Sequence, residues 1–140
     1  MRPPLHERNM FSIDHLGIAV KSLVAAKAFY EKLGLSVSPE ETVEHERVRL
    51  VMVPTGESRL ELLEATSEDS TIAKFIAKRG EGLHHICLEV DDIDAALQEM
   101  QEKGAPVLDK QPRIAAEGRA IFLHPKGTSG VLLELLEKRG

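Results

Sequence analysis

The sequence predicts an α+β chain of two tandem βαβββ modules, and three observations carry that expectation. The stretch Gly82-Leu-His-His-Ile-Cys-Leu-Glu-Val90 repeats Asp14-His-Leu-Gly-Ile-Ala-Val20 at an offset of 70 (85 − 15), laying His15 on His85, Ile18 on Leu88 and Val20 on Val90. The offset persists through Ala25/Ala95, Ala26/Ala96 and Gly34/Gly104. A closing motif also occurs twice, Arg59-Leu-Glu-Leu-Leu-Glu64 and Leu132-Leu-Glu-Leu-Leu-Glu137, with Glu61 on Glu134 at an offset of 73 (134 − 61). Each copy therefore opens on a strand His and closes on a strand Glu.

In chain order, residues 11–20 alternate with period two, which is the signature of a half-buried strand. Leu16, Ile18 and Val20 share one face, and His15, Gly17 and Ala19 the other. Ser22 is placed to cap a helix through Leu23, Ala26, Phe29, Tyr30 and Leu33, which Gly34 ends in the left-handed conformation that glycine adopts cheaply. Strands are expected at 35–38, 47–53 and 58–63, separated by Pro39 and by the Pro54-Thr-Gly56 turn. Thr66-Ser-Glu-Asp69 reads as a capping box before a linker helix, which Lys78-Arg79-Gly80 closes. The second copy repeats the plan. A strand over 83–90 leads to a helix capped by Asp91 or Asp92 and stopped at Gly104. Strands at 105–108, 119–123 and 130–136 follow, with His124-Pro-Lys-Gly127 as a turn. The short connections predict antiparallel pairing within each run of three strands. Module one thus spans 11–66, the linker helix 67–80 and module two 82–137.

A chain of 140 residues fits one ordinary domain, so two halves of a single domain are expected. Its 42% hydrophobic and 29% charged residues suit a soluble globular protein, and no apolar run approaches the roughly 18 residues of a membrane span. Residues 1–10 hold no apolar secretory core and read as a flexible tail, which makes cytoplasm the expected compartment. The single Cys87 forms no intramolecular disulfide. A net charge of −5 without a basic run argues against a nucleic-acid partner.

A lone His or Glu in a strand ordinarily faces water. Here His15, Glu61, His85 and Glu134 stand at repeat-equivalent positions, and solvent-facing residues have no reason to reproduce both identity and register. Period two places each Glu opposite the leucines beside it, so a carboxylate stands on a face that needs a partner for its charge. Two imidazoles and two carboxylates drawn from four strands suit a divalent metal ion. His84 points to the opposite face from His85 and reads as structural. Cys87 shares the His85 face and reads as an inert buried thiol. His6 and His45 read as solvated, while His124 is open between substrate contact and turn cap.

Paired βαβββ modules carrying these four residues resemble the vicinal oxygen chelate, or glyoxalase-like, superfamily. Further motifs extend the resemblance to the methylmalonyl-CoA epimerase family over residues 11–137. They are Asp69-Ser-Thr-Ile-Ala-Lys-Phe75, the Gly82-Leu-His-His strand continuing to Ile93, Phe122-Leu-His-Pro-Lys126 and Gly130-Val-Leu-Leu-Glu-Leu135. The resemblance implies a cupped, open barrel-like sheet holding a divalent ion on His15, Glu61, His85 and Glu134. Co²⁺ is the implied ion, with Mn²⁺, Ni²⁺ or Zn²⁺ as alternatives. It also implies an acyl-CoA substrate and a homodimer. Some members place an acidic residue on the third strand; the register puts Arg49 there, with Glu44 and Glu46 nearby.

The implied reaction interconverts the (R) and (S) forms of methylmalonyl-CoA by removing the α-proton and returning one on the other face. The charge on the thioester oxygen falls to the divalent ion, and Glu134 is the candidate base. Lys74, Lys78, Arg113, Arg119 and Lys126 are candidate attractors for CoA phosphates, against the plain reading of each as a solvated charge. A lactoylglutathione lyase-like isomerase is the nearest alternative, since it uses the same ligand types. An extradiol dioxygenase ranks third, lacking a substrate-activating His/Tyr pair. A non-catalytic resistance protein of the same fold is the rival from another class, and it has no need of four metal ligands.

Overall fold

The computed structural model describes residues 11–139; the expected tail at 1–10, and His6 with it, lie outside the described residues. The chain divides into two compact units. One is His15–His84; the other gathers the residues up to Asp14 with those from His85 onward.

In the first unit β1 (Ser12–Ala19) leads to α1 (Leu23–Lys32), whose N-terminus is capped by the Ser22 side chain accepting from Ala25 N–H. Gly34, at φ 90°, follows the helix in the conformation that only glycine takes without strain. Then come β2 (Glu41–Val43), a 3₁₀ turn at Glu44–Glu46, β3 (Val48–Pro54) and β4 (Arg59–Ala65), ordered β2-β3-β4-β1. β2, β3 and β4 are antiparallel neighbours, whereas β1 lies parallel to β4 with Gly17 opposite Glu61. The helix α2 (Thr71–Arg79) completes the unit.

The other unit repeats this arrangement. β5 (Gly82–Glu89) leads to α3 (Ile93–Glu102), then β6 (Arg113–Ala115), β7 (Gly118–Leu123), a 3₁₀ turn at Pro125–Gly127, and β8 (Leu132–Lys138). The order is β5-β8-β7-β6, with Cys87 opposite Glu134 in the parallel β5/β8 pair. Each sheet buries one face against its helix. Val20, Leu23, Val51, Val53 and Leu62 form the core under α1, and Val90, Ile93, Ala96, Leu97, Ile121, Leu123 and Leu135 that under α3. Each fully buried aliphatic side chain contributes about 1.5–3 kcal/mol, so these clusters hold the strands in register.

Three boundaries differ from the sequence expectation. Residues 35–38 and 105–108 are not strands; the short third element lies later, at Glu41–Val43 and Arg113–Ala115. Pro39 and Pro106 each remove a donor, so the first segment keeps Ser38 N–H to Met52 carbonyl and the second only an isolated bridge, Val107 to Leu123. The linker helix is capped by Ser70, which accepts from Ala73 N–H, and not by Thr66. Ser67 and Asp69 instead bond each other, and the Asp69 carboxylate pairs with Arg47.

Candidate functional site

The period-two strands carry two kinds of residue on opposite faces. Leu60, Leu62 and Ile18 turn to α1, while Glu61, Leu63, His15, Gly17 and Ala19 share the reverse face. On that face His15 Nε2 stands 3.4 Å from Glu61 Oε1, both residues buried at 5% and 8% exposure. The second module reproduces the pair: His85 Nε2 is 3.5 Å from Glu134 Oε1, at 6% and 6% exposure. All four sequence-predicted residues are therefore buried, and each His is brought to the Glu of its own module.

These separations exceed an ordinary N–H···O hydrogen bond of about 2.9 Å. Two donors bound about 2.1 Å from a shared ion lie roughly 3.0 Å apart in octahedral and 3.4 Å apart in tetrahedral geometry. The imidazole–carboxylate spacing in both modules fits that second value. Nitrogen and carboxylate oxygen donors are suited to borderline divalent ions.

The neighbours of each Glu differ between modules. Glu61 lies between Gly17 on β1 and Met52 on β3. Glu134 lies between Cys87 on β5 and Phe122 on β7, and the Cys87 thiol is fully buried. On β3 the residues sharing the Glu61 face are Met52, directly opposite it, and Leu50, which pairs with Leu63 and packs with Ala19, Val48 and Ile72. This corrects the expected register: Arg49 turns to the helix face and pairs with Glu64, and Glu44 and Glu46 sit in the exposed 3₁₀ turn.

Other predicted residues fall outside this constellation. His84 stacks edge-on against Phe75 of α2, with ring centroids 5.0 Å apart. His124 Nδ1 accepts from Lys126 N–H at 3.0 Å and caps the 3₁₀ turn. His45 is exposed, as are Lys74, Lys78 and Lys126. Arg119 is held by Asp94 at 2.7 Å on the face opposite Glu134, and this hydrogen bond keeps the Asp94 carboxyl below the usual range. A groove of about 550 Å³ lined by Ile18, Val20, Ala25, Phe29, Tyr30 and Glu81 lies against α1, on the side away from Glu61.

The sequence profile of the Glyoxalase/Bleomycin resistance protein/Dioxygenase superfamily matches residues 14–122. The chain belongs to this superfamily. Within it, the chain is 42% identical over 130 residues to a mitochondrial methylmalonyl-CoA epimerase of Homo sapiens, covering 91% of this chain and 74% of the relative. It is 41% identical over 128 residues to the ethylmalonyl-CoA/methylmalonyl-CoA epimerase of Cereibacter sphaeroides, covering 88% and 95% of the two chains. A solved Streptomyces coelicolor methylmalonyl-CoA epimerase in complex with 2-nitronate-propionyl-CoA is similar at TM-score 0.87 and 41% identity, over 94% of this chain and all of that one. The superfamily fold expected from the paired βαβββ modules is thus the fold of this chain. Sequence reasoning placed Cys87 on the site face but missed Leu50 and Phe122, because strand register, not composition, decides which side chain shares that face.

Proposed function

We propose that this chain is a methylmalonyl-CoA epimerase that depends on a divalent metal ion. The observation that carries the reading is the buried His–Glu pair made twice, at 3.4 and 3.5 Å, in a chain 41–42% identical to two named epimerases. His15, Glu61, His85 and Glu134 are the proposed metal ligands. Bound there, a divalent cation would act as a Lewis acid toward the thioester carbonyl and make the α-proton more acidic.

Glu134 is the proposed base that takes the α-proton, a buried carboxylate that can accept it and exchange it with solvent while a different donor delivers a proton to the other face. The apolar residues around it, Phe122 and Leu136, exclude solvent and raise the value of each charge interaction in the site. Return of a proton on the opposite face does not come from β3, whose residues on the Glu61 face, Leu50 and Met52, do not titrate. A nitronate is a planar, delocalised anion, so the ligand named for the Streptomyces relative has the charge and shape of a deprotonated acyl-CoA. The reading includes Co²⁺ as the ion, an acyl-CoA substrate, a homodimer and a cytoplasmic location. Among the described residues no helix is long and apolar enough to cross a membrane.

The test is incubation with single-enantiomer methylmalonyl-CoA in D₂O, following α-deuterium incorporation and optical inversion together. Both should proceed with catalytic amounts of protein. Tight acyl-CoA binding without exchange would replace the epimerase with a binding protein of the same superfamily.

A further inference from the structure

The two modules share their ligand-bearing strand but not the strands beyond it. Next to Glu61 stands Met52, with Glu41 one strand further out opposite Leu50; next to Glu134 stands Phe122, with Arg113 one strand further out opposite Ala120. The positions correspond, since Glu41 pairs with Leu50 as Arg113 pairs with Ala120. Duplication has therefore left an acid two strands from one candidate ligand and an arginine two strands from the other.

Arg113 is built into its place. Its guanidinium lies over the Phe122 ring at 4.7 Å from the centroid. Its Nε donates to Asp109 Oδ1 at 2.7 Å, and Nη2 stands 2.5 Å from the same oxygen. Asp109 is itself held, because its other oxygen accepts from Phe122 N–H at 2.7 Å, and its side chain is only 8% exposed. One carboxylate and one ring thus fix the guanidinium plane, while the side chain stays 48% exposed and Nη1 has no protein partner among the described residues. A guanidinium so fixed presents a planar pair of donors at little further entropic cost, which suits an anion with two oxygens. The aromatic face adds cation–π attraction without neutralising the charge.

We propose that Arg113, positioned by Asp109 and Phe122, is the anion-binding residue that orients the acyl-CoA over the Glu134 side of the site. This rests on the epimerase reading for its substrate class. The shared chemistry is an oxyanion, either the free carboxylate of the malonyl group or a phosphate of the CoA.

The experiment compares parent, Arg113→Gln, Arg113→Lys and Asp109→Asn for KM and kcat on methylmalonyl-CoA and on methylmalonyl-pantetheine, which lacks the adenosine phosphates. Malonyl-CoA binding by calorimetry and a thermal melt run alongside. Arg113→Gln should raise KM and weaken malonyl-CoA binding about tenfold or more at a nearly unchanged melting point. Arg113→Lys should restore part of the loss, and Asp109→Asn should give an intermediate KM. A penalty seen with both thioesters assigns the carboxylate; one seen with the CoA ester alone assigns a phosphate. Affinities within twofold of the parent for both thioesters in Arg113→Gln, or a fall in kcat with KM unmoved, would overturn the proposal. Arg113-dependent binding by a parent protein that does not epimerise would sink the epimerase reading and leave this one standing. A parent that binds no acyl-CoA would end both.

Discussion

The carboxylate of Glu64 accepts a 2.7 Å hydrogen bond from the backbone N–H of Leu23, the first residue of α1. Glu137 does the same for Ile93, the first residue of α3, at 2.9 Å. Glu64 follows Glu61 by three positions and Glu137 follows Glu134 by three, an odd step, so each closing strand turns one carboxylate to the candidate site and the other to a helix N-terminus. The helix-facing acid satisfies a donor that has no partner within the helix and complements the positive end of its dipole.

Removing that clamp should cost stability and leave metal content alone. Glu64→Ala also removes the nearer partner of Arg49, leaving it only Glu40 at 4.0 Å, so about 1–3 kcal/mol is expected. Glu137→Ala should cost less, since the Glu137 side chain is 31% exposed against 17% for Glu64 and Arg119 keeps Asp94. Urea unfolding would rank the two, and a larger loss at Glu137 would contradict this account.

The repeat made most of this legible in advance. Identity at a fixed offset located both modules, both first helices and the four buried His and Glu residues without any register being known. Which residue of β3 shares the Glu61 face was not legible, because Arg49 and Leu50 both lie in a run whose pairing is set by β4 and β2. The segments at 35–38 and 105–108 misled for one reason in both copies. They make one or two rungs with β3 or β7 and then leave, and local apolar composition does not distinguish a rung from a ladder.

Gly118→Ala should destabilise the second unit sharply. A Cβ there would lie 2.0 Å from the Glu137 carbonyl oxygen, and backbone, not a flexible side chain, stands in the way. Overpacking of this kind costs about 1–3 kcal/mol, readable as a lowered denaturation midpoint. An unchanged midpoint would show that the β7/β8 ladder opens at this end without penalty.

The Arg119–Asp94 pair predicts a small acid-dependent term. Asp94 is depressed below its ordinary value of 3.8 by the Arg119 hydrogen bond, so its stabilisation is present above that value and is lost as pH falls through the folded one. The midpoint gap between parent and Asp94→Asn should thus be open near about pH 6 and closed near about pH 2. High salt should narrow it at the upper pH, since the pair is exposed. A gap that widens on acidification would reverse the sign and exclude this pairing.

His15→Ala and His85→Ala should each lose bound metal and activity together, whereas His84→Ala should keep its metal. The contrast between neighbours follows from period two: His85 stands against Glu134 and His84 against Phe75. Elemental analysis after dialysis decides it, and equal metal in all three variants would refute the ligand assignment.

Glu134→Gln separates coordination from proton transfer. A neutral amide still offers an oxygen of nearly the same size and position, but it does not accept the α-proton as a carboxylate does. Loss of a general base typically slows turnover by about 10²- to 10⁴-fold, so a fall in that range is expected with metal mostly retained. Deuterium exchange into the substrate should fall in parallel, because exchange and inversion share the same first step. Glu61→Gln supplies the comparison: it makes the equivalent contact with His15, at 3.4 Å, but its proposed role is coordination alone, so its loss should be milder. Equal losses in the two variants would mean that the duplicated carboxylates act alike as ligands. In that case Glu134 is no base, and the proton is taken by a group outside the His–Glu pairs.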